Sequence, residues 1–380
     1  MPDKPISLVE HFAEIKDPRT RRRVRHYLIE IIIITICAVV SGADDWVAIE
    51  KFGRAKEEWL KKRLKLKLPH GIPSHDTFGE VFALLDPEQF QNSFLSWMGA
   101  ISELGPGEVV PIDGKRIRRS HDGVLGKAAI HMVSAWASTN RLVLGQVKTE
   151  EKSNEITAIP ALLKLLTLKG CIVTIDAMGC QTEIAKEIVV EQEADYVLAT
   201  KGNQGTLHEG VKDLFAYAQE IEFKDVTHDF HQTIEKDHGR LETRRYWTIS
   251  EPEFIDYLDP TGKWVGLRSI GMVQAQRQVG VHISTEVRYY ISSLEGEVVQ
   301  FAEAVRSHWE IENKVHWVLD VAFREDDCRV RKGYGAQNLA VVRHIALNLL
   351  ERERSVQCGK KNKRLMAAWD EDYLFKILTS

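Results

Sequence analysis

A chain of 380 residues exceeds what one small domain needs, and 44% hydrophobic with 28% charged side chains reads as an ordinary globular protein with a large core. Its net charge of -4 argues against nucleic acid only until its distribution is seen. Residues 1–70 hold 15 Lys and Arg against 10 Asp and Glu, a balance of +5, and the rest hold 36 against 45, a balance of -9. The basic part is a candidate phosphate-binding module, and the acidic part a candidate for metal.

Residues 1–98 read as helical. "SLVEHFAEI", then Tyr27 to Val40, then "DWVAIEKFGRAKEEWLKKRL" carry apolar residues at spacings of three and four. The longest apolar run, Ile31 to Val40, is too short to span a bilayer. The N-terminus lacks an apolar core with a cleavage site, so the expectation is a cytoplasmic protein with no membrane association. Pro73, Ser74 and Asp76 open a further amphipathic run. Short helices joined by tight turns fit a helix-turn-helix-like DNA-binding unit, and equally a bundle whose basic faces are solvated.

Gly105-Pro106-Gly107 marks a linker, after which the texture turns β-branched. "EVVPIDG", "IHMVSAWAST" and "RLVLGQVKT" predict three strands, with Asn140 in the second turn. A helix over "NEITAIPALLKLL", a buried strand over "GCIVTIDAM", a helix over "QTEIAKEIVVEQ" and a strand over "ADYVLAT" follow. Three consecutive strands and then βα alternation is the order of an α/β, ribonuclease H-like mixed sheet. About 207–294 is polar and strand-rich and reads as an insertion; Val298 to Phe323 and "QNLAVVRHIALNLLERE" read as long helices. The expected plan is a helical domain over 1–98, a catalytic domain over 106–355 and a tail over 356–380. Five scattered cysteines without a Cys-x2-Cys pair exclude a disulfide framework or zinc ribbon and read as buried thiols.

Asp113 and Asp176 share one local signature: β-branched residues, Ile, Asp, then a small residue that lets a ligand approach the backbone. In a sheet where those two strands are neighbours, the aspartates lie side by side at one edge. Paired carboxylates repel unless a cation sits between them, so the pair implies a divalent metal. A lone strand-end Asp could instead be a turn former. A third ligand is sought on the late helix, where His308, Glu312 and His316 are four apart on one face. Glu310, Asp320, Glu325 and Asp326 are rival carboxylates. His-x3-Glu-x3-His is not the His-Glu-x-x-His of zinc metalloproteases, which argues against zinc.

Five blocks, "VVPIDGKRIRRS", "TIDAMGCQ", "YVLATKGNQ", "EKDHGRLETRR" and "HWEIENKVHWVLDVAFREDDCRVRKGYGAQNLAVVRHIALNLL", resemble in order those of a DDE transposase of the insertion-sequence type. The likeness is to the H-repeat-associated group found beside Rhs elements, from about residue 5 to residue 355. It implies a ribonuclease H-like core in which Asp113, Asp176 and Glu312 hold two Mg2+ ions, with Mn2+ as a substitute. It also implies double-stranded DNA as partner and a homodimer assembled on DNA. Wider transposase families carry Tyr-x2-Arg-x3-Glu-x6-Lys around the Glu; here Val305, His308 and Leu319 stand at the Tyr, Arg and Lys positions.

On that reading Asp113 holds metal while Lys115, Arg116, Arg118 and Arg119 hold the DNA backbone beside it. Lys201, Asn203 and Gln204 are candidate contacts to phosphates or bases, or turn formers. His238, Arg240, Arg244 and Arg245 in the insertion suit backbone contacts on element ends, and His308 suits a phosphate. The implied activity is metal-dependent cleavage at element ends followed by transfer of the 3′-hydroxyl into target DNA. A nuclease that no longer transposes, and a DNA-binding relic, are the alternatives.

Overall fold

The computed structural model describes residues 7–20, 24–121, 128–149, 155–237 and 239–380; His238 lies outside them. Among the described residues, nine strands form one mixed sheet in the order β3-β2-β1-β4-β5-β9-β8-β7-β6. The first half is β1 (Val109–Arg116), β2 (His131–Ala137), β3 (Leu142–Lys148), β4 (Ile172–Ile175) and β5 (Asp195–Thr200). β1, β4 and β5 run parallel, and β2 and β3 return antiparallel. β4, "IVTI", is buried along its whole length, as a strand covered on both faces must be.

The helices that precede the sheet are α1 (Ser7–Phe12), α2 (Leu28–Val40), α3 (Trp46–Ala55), α4 (Glu57–Arg63), α5 (His75–Leu84) and α6 (Pro87–Ile101). The single run expected from Asp45 breaks at Lys56 into α3 and α4. Ser74 caps α5 by accepting from the Thr77 N–H, the role its position predicts. α2 is buried almost throughout, which explains why its apolar run is continuous rather than periodic. Among the described residues, no helix is long and apolar enough to cross a membrane.

Within the sheet half lie α7 (Glu155–Leu163), α8 (Thr182–Lys186), α9 (Gly205–Glu220) and α10 (Pro252–Leu258). The stretch 207–294 is no separate module. It begins inside α9 and supplies β6 (His228–Asp237), β7 (Arg240–Ile249), β8 (Ser269–Val279) and β9 (His282–Ser292). β9 pairs with β5 from Val197↔Ser292 to Thr200↔Tyr289, so these strands extend the same sheet.

The last helices are α11 (Val298–Ile311), α12 (Trp317–Phe323), α13 (Gly335–Arg352), α14 (Lys360–Trp369) and α15 (Glu371–Thr379). α13 joins the two halves. Asn338 donates to the Phe82 and Leu85 carbonyls (2.9 and 2.8 Å), and Asn348 exchanges hydrogen bonds with the Val143 backbone (2.8 and 2.9 Å). The bundle and the sheet therefore share one core, and the boundary near residue 98 does not separate two cores. Residues 356–380, expected as a tail, instead fold as α14 and α15, because Ala367, Leu374, Ile377 and Leu378 are buried. Arg364 fastens them, donating to the Val39 carbonyl at 3.0 Å and to Asp44 at 2.9 Å.

Candidate active site

The register Ile112↔Ile175 between β1 and β4 sets Asp113 level with Asp176, one residue beyond each pair. Asp176 also caps the turn Ala177–Gly179, its Oδ1 accepting from the Met178 and Gly179 N–H groups at 3.0 and 3.4 Å. The turn-former reading of this aspartate thus holds alongside its place at the sheet edge. Glu312 follows α11, where the helix widens into a π turn over Glu312–His316 closed by the Trp317 N–H on the Glu312 carbonyl. π turns inside α-helices are frequent at functional sites.

The face carrying His308, Glu312 and His316 looks at the two strands. His308 Nδ1 lies 3.1 Å from Thr174 Oγ1 on β4, and His316 Nδ1 lies 3.3 Å from Asp113 Oδ2 on β1. Glu312 stands between them, exposed to a cleft of about 790 Å³ that Asp113 and Asp176 also line. Thr174, His308, Lys201, Asn203, Arg288 and Trp309 complete much of its wall. Among the described residues, no three His, Cys, Asp or Glu side chains form a group that could hold one metal ion as they are placed.

Electrostatics nevertheless ask for a cation. Burial pushes the Asp113 carboxyl up to about 7, with Glu155, Asp176 and Glu312 adding like charge. Asp176 is raised by burial and by Glu155, against the pull of backbone N–H groups and Lys201. Lys115, two residues from Asp113, does not supply the missing charge: its Nζ sits 2.6 Å from Asp320 and 2.8 Å from Glu325. Desolvation pushes the half-buried imidazole of His308 down to about 4, so it is neutral near pH 7.

Glu155 is a fourth carboxylate here that sequence reasoning missed. It opens α7, is buried, and accepts from His131 Nε2 at 2.8 Å. Gly114 makes room for it, since a Cβ there would stand 2.2 Å from Glu155 Oε1. An acidic residue opening a helix is too common for its sequence to signal this.

The expected DNA contacts are placed diversely. Arg116 is exposed. Arg118 and Arg119 are largely exposed but paired, with Asp326 at 3.2 Å and Asp327 at 3.6 Å. Asn203 donates to the Ala177 carbonyl and Gln204 to the Cys180 carbonyl, tying their turn to the loop after Asp176, while Lys201 is exposed. Arg240 and Arg244 share the sheet face that meets α11, and Arg245 takes the opposite face, bonded to Gln232 and Gln274. Three more cations not singled out in sequence gather at that first face, Arg277 and Arg288 on it and Arg306 on α11 opposite it. They line a smaller hollow of about 270 Å³ that shares Arg288 and Trp309 with the carboxylate cleft, the guanidinium lying 3.9 Å above the indole.

Of the rival carboxylates, Glu325 is buried between Lys115 and Arg343, Asp320 meets Lys115, and Asp326 meets Arg118. Among the described residues, neither these nor Glu310 lines the cleft.

The sequence family described as Transposase DDE domain matches residues 104–349, and its companion, described as DDE_Tnp_1-associated, matches 9–98. The chain belongs to the DDE transposase family. Putative transposase YncI of Escherichia coli O157:H7 is 43% identical over 378 residues, covering 98% of this chain and 95% of the relative. The H repeat-associated putative transposase YhhI of Escherichia coli K12 is 40% identical over 375 residues, covering 98% and 97%. This transposase is therefore of the H-repeat-associated group. A solved structure of a piggyBac transposase synaptic complex with hairpin DNA is similar at a TM-score of 0.42 and 13% identity, over 98% of this chain and 79% of the other.

Proposed function

We propose that this transposase cleaves DNA at the ends of its element and joins the freed 3′-hydroxyl to target DNA, using divalent metal held by Asp113, Asp176 and Glu312. The observation that carries the proposal is the meeting, in one cleft, of two aspartates from neighbouring parallel strands with a glutamate from the helix packed across them. The strand order, with two antiparallel strands beside β1 and two parallel strands on its other side, supports a ribonuclease H-like core. Mg2+, with Mn2+ as a substitute, suits an all-carboxylate donor set. When bound, such ions activate the attacking water or hydroxyl and stabilise the leaving oxygen.

The chain's own residues bind and orient. Arg240, Arg244, Arg277, Arg288 and Arg306 hold the duplex backbone, the four that pair with Glu235, Glu242 or Glu286 exchanging those carboxylates for phosphate. Lys201, after β5, holds it at the cleft itself, and Arg116, Arg118 and Arg119 on the other flank, the two paired arginines exchanging Asp326 and Asp327 for phosphate. Lys115, bound to Asp320 and Glu325, steadies β1 rather than touching DNA. His308 offers a hydrogen bond rather than a charge. The helices of 1–98 supply a docking surface and 106–355 the chemistry, a division between surfaces that share one core. The protein acts in the cytoplasm as a homodimer on paired ends.

The test is a plasmid carrying the gene with its natural flanks, incubated with purified protein and Mg2+. Nicking at the flanks followed by strand transfer is expected. Nicking alone would make it a nuclease, and neither product would make it a DNA-binding relic.

A further inference from the structure

We propose that His316 is the positioning residue of Asp113, its Nδ1–H donated to Asp113 Oδ2 and turning the carboxylate toward the cleft. The inference rests on the reading that Asp113 holds metal, and it adds a residue that the acidic triad does not contain. The imidazole side chain is 12% exposed and its Nδ1 stands 3.3 Å from Asp113 Oδ2. The pair is close but short of hydrogen-bond geometry as placed, and a small rotation of the ring or carboxylate lets an Nδ1–H donate to Oδ2. Nε2 is buried and, among the described residues, has no hydrogen-bond partner. The contact to Asp113 is then what fixes the ring's orientation, and a merely packed side chain at this site would be served better by an apolar residue.

Backbone geometry points the same way, independently. The π turn spans Glu312–His316 and no more, between the regular helices α11 and α12. Its two ends are the residue that faces the carboxylate cleft and the residue that touches Asp113. The widened turn thus spans the two residues that meet the site, Glu312 in the cleft and His316 at Asp113, while Val315 and Leu319 stay buried in the core.

The test is Mn2+ binding to the full-length protein, followed by titration calorimetry on wild type, Asp113→Asn, His316→Ala, His316→Asn and His316→Gln. Asn places its amide N–H near the position of Nδ1, whereas Gln extends it toward that of Nε2. Loss of Asp113 should remove binding. His316→Ala and His316→Gln should weaken it by about 10- to 100-fold, the usual effect of removing a residue that orients a metal ligand, and His316→Asn should stay within about threefold of wild type. Because Asn and Gln are of one chemistry, their contrast remains informative if His316→Ala fails to fold. Binding unchanged by Asp113→Asn would overturn the metal site itself. Binding lost with Asp113→Asn but equal for the Asn and Gln variants, or unaffected by all three His316 changes, would overturn the positioning role alone.

Discussion

Replacing Glu325 by Leu removes the carboxylate that neutralises two cations beneath the cleft. Glu325 is 2% exposed, and its oxygens lie 2.8 Å from Lys115 Nζ and 3.4 Å from Arg343 Nη1. Lys115 retains Asp320 at 2.6 Å, but Arg343, equally buried, is left without a carboxylate at hand. Breaking a buried pair by deleting one partner costs about 3–5 kcal/mol, most of it the stranded charge. An unfolding entropy of about 2.1 cal/mol/K per residue gives roughly 0.8 kcal/mol/K for this length, so Tm should fall by about 4–6 °C. Calorimetry of the variant measures this directly. Adding Arg343→Met should restore part of the loss, because the stranded cation goes with it. A single variant within about 1 °C of wild type, or a double variant no more stable than the single, would refute the claim that Glu325 neutralises these cations.

The carboxyl of Glu353, which burial alone would raise, is brought down to about 2 by donors that include Ser355 and Tyr373. Against an ordinary value of 4.5, its contribution is complete above that pH and is lost as pH falls through about 2. The Tm advantage of wild type over Glu353→Gln should therefore shrink as melts are taken from pH 5 down to about pH 2, and a pH-independent gap would contradict the assignment. For DNA, replacing Arg277, Arg288 and Arg306 together by Ala should weaken duplex binding and reduce the slope of log K against log salt by up to about 2.7, at about 0.9 per phosphate contact. Anisotropy titrations between about 50 and 200 mM salt read this, with Arg245→Ala, on the opposite face, expected to leave the slope unchanged.

What was legible in the sequence is what is set locally. The repeated "Ile-Asp-small" ending of two apolar stretches places Asp113 and Asp176 at strand ends, and parallel pairing then brings them level. Spacing of four along one helix face puts Glu312 between two histidines that do reach β1 and β4. Contacts between distant parts of the chain were not legible: nothing local to Lys115 announces Asp320 and Glu325, and nothing local to Glu155 announces Asp113. β6, "HDFHQTIEKD", lacks the apolar alternation of a half-buried strand because it is the sheet's edge, so it escaped notice. The helices of 356–380 were missed because their short amphipathic turns bury residues against α2, α12 and α13, elements distant in sequence.

The most direct measurement is Mg2+-dependent nicking of DNA carrying the element's flanks, run well below Tm for Asp113→Asn, Asp176→Asn, Glu312→Gln and Glu325→Gln. Each of the first three should abolish nicking while leaving DNA binding at least as tight as in the parent, since a charge beside the phosphates is removed; Glu325→Gln should still cut. Parent-rate nicking by Glu312→Gln together with its loss in Glu325→Gln would contradict the assignment of the third carboxylate, and parent-rate nicking by Asp113→Asn would contradict the metal site as a whole.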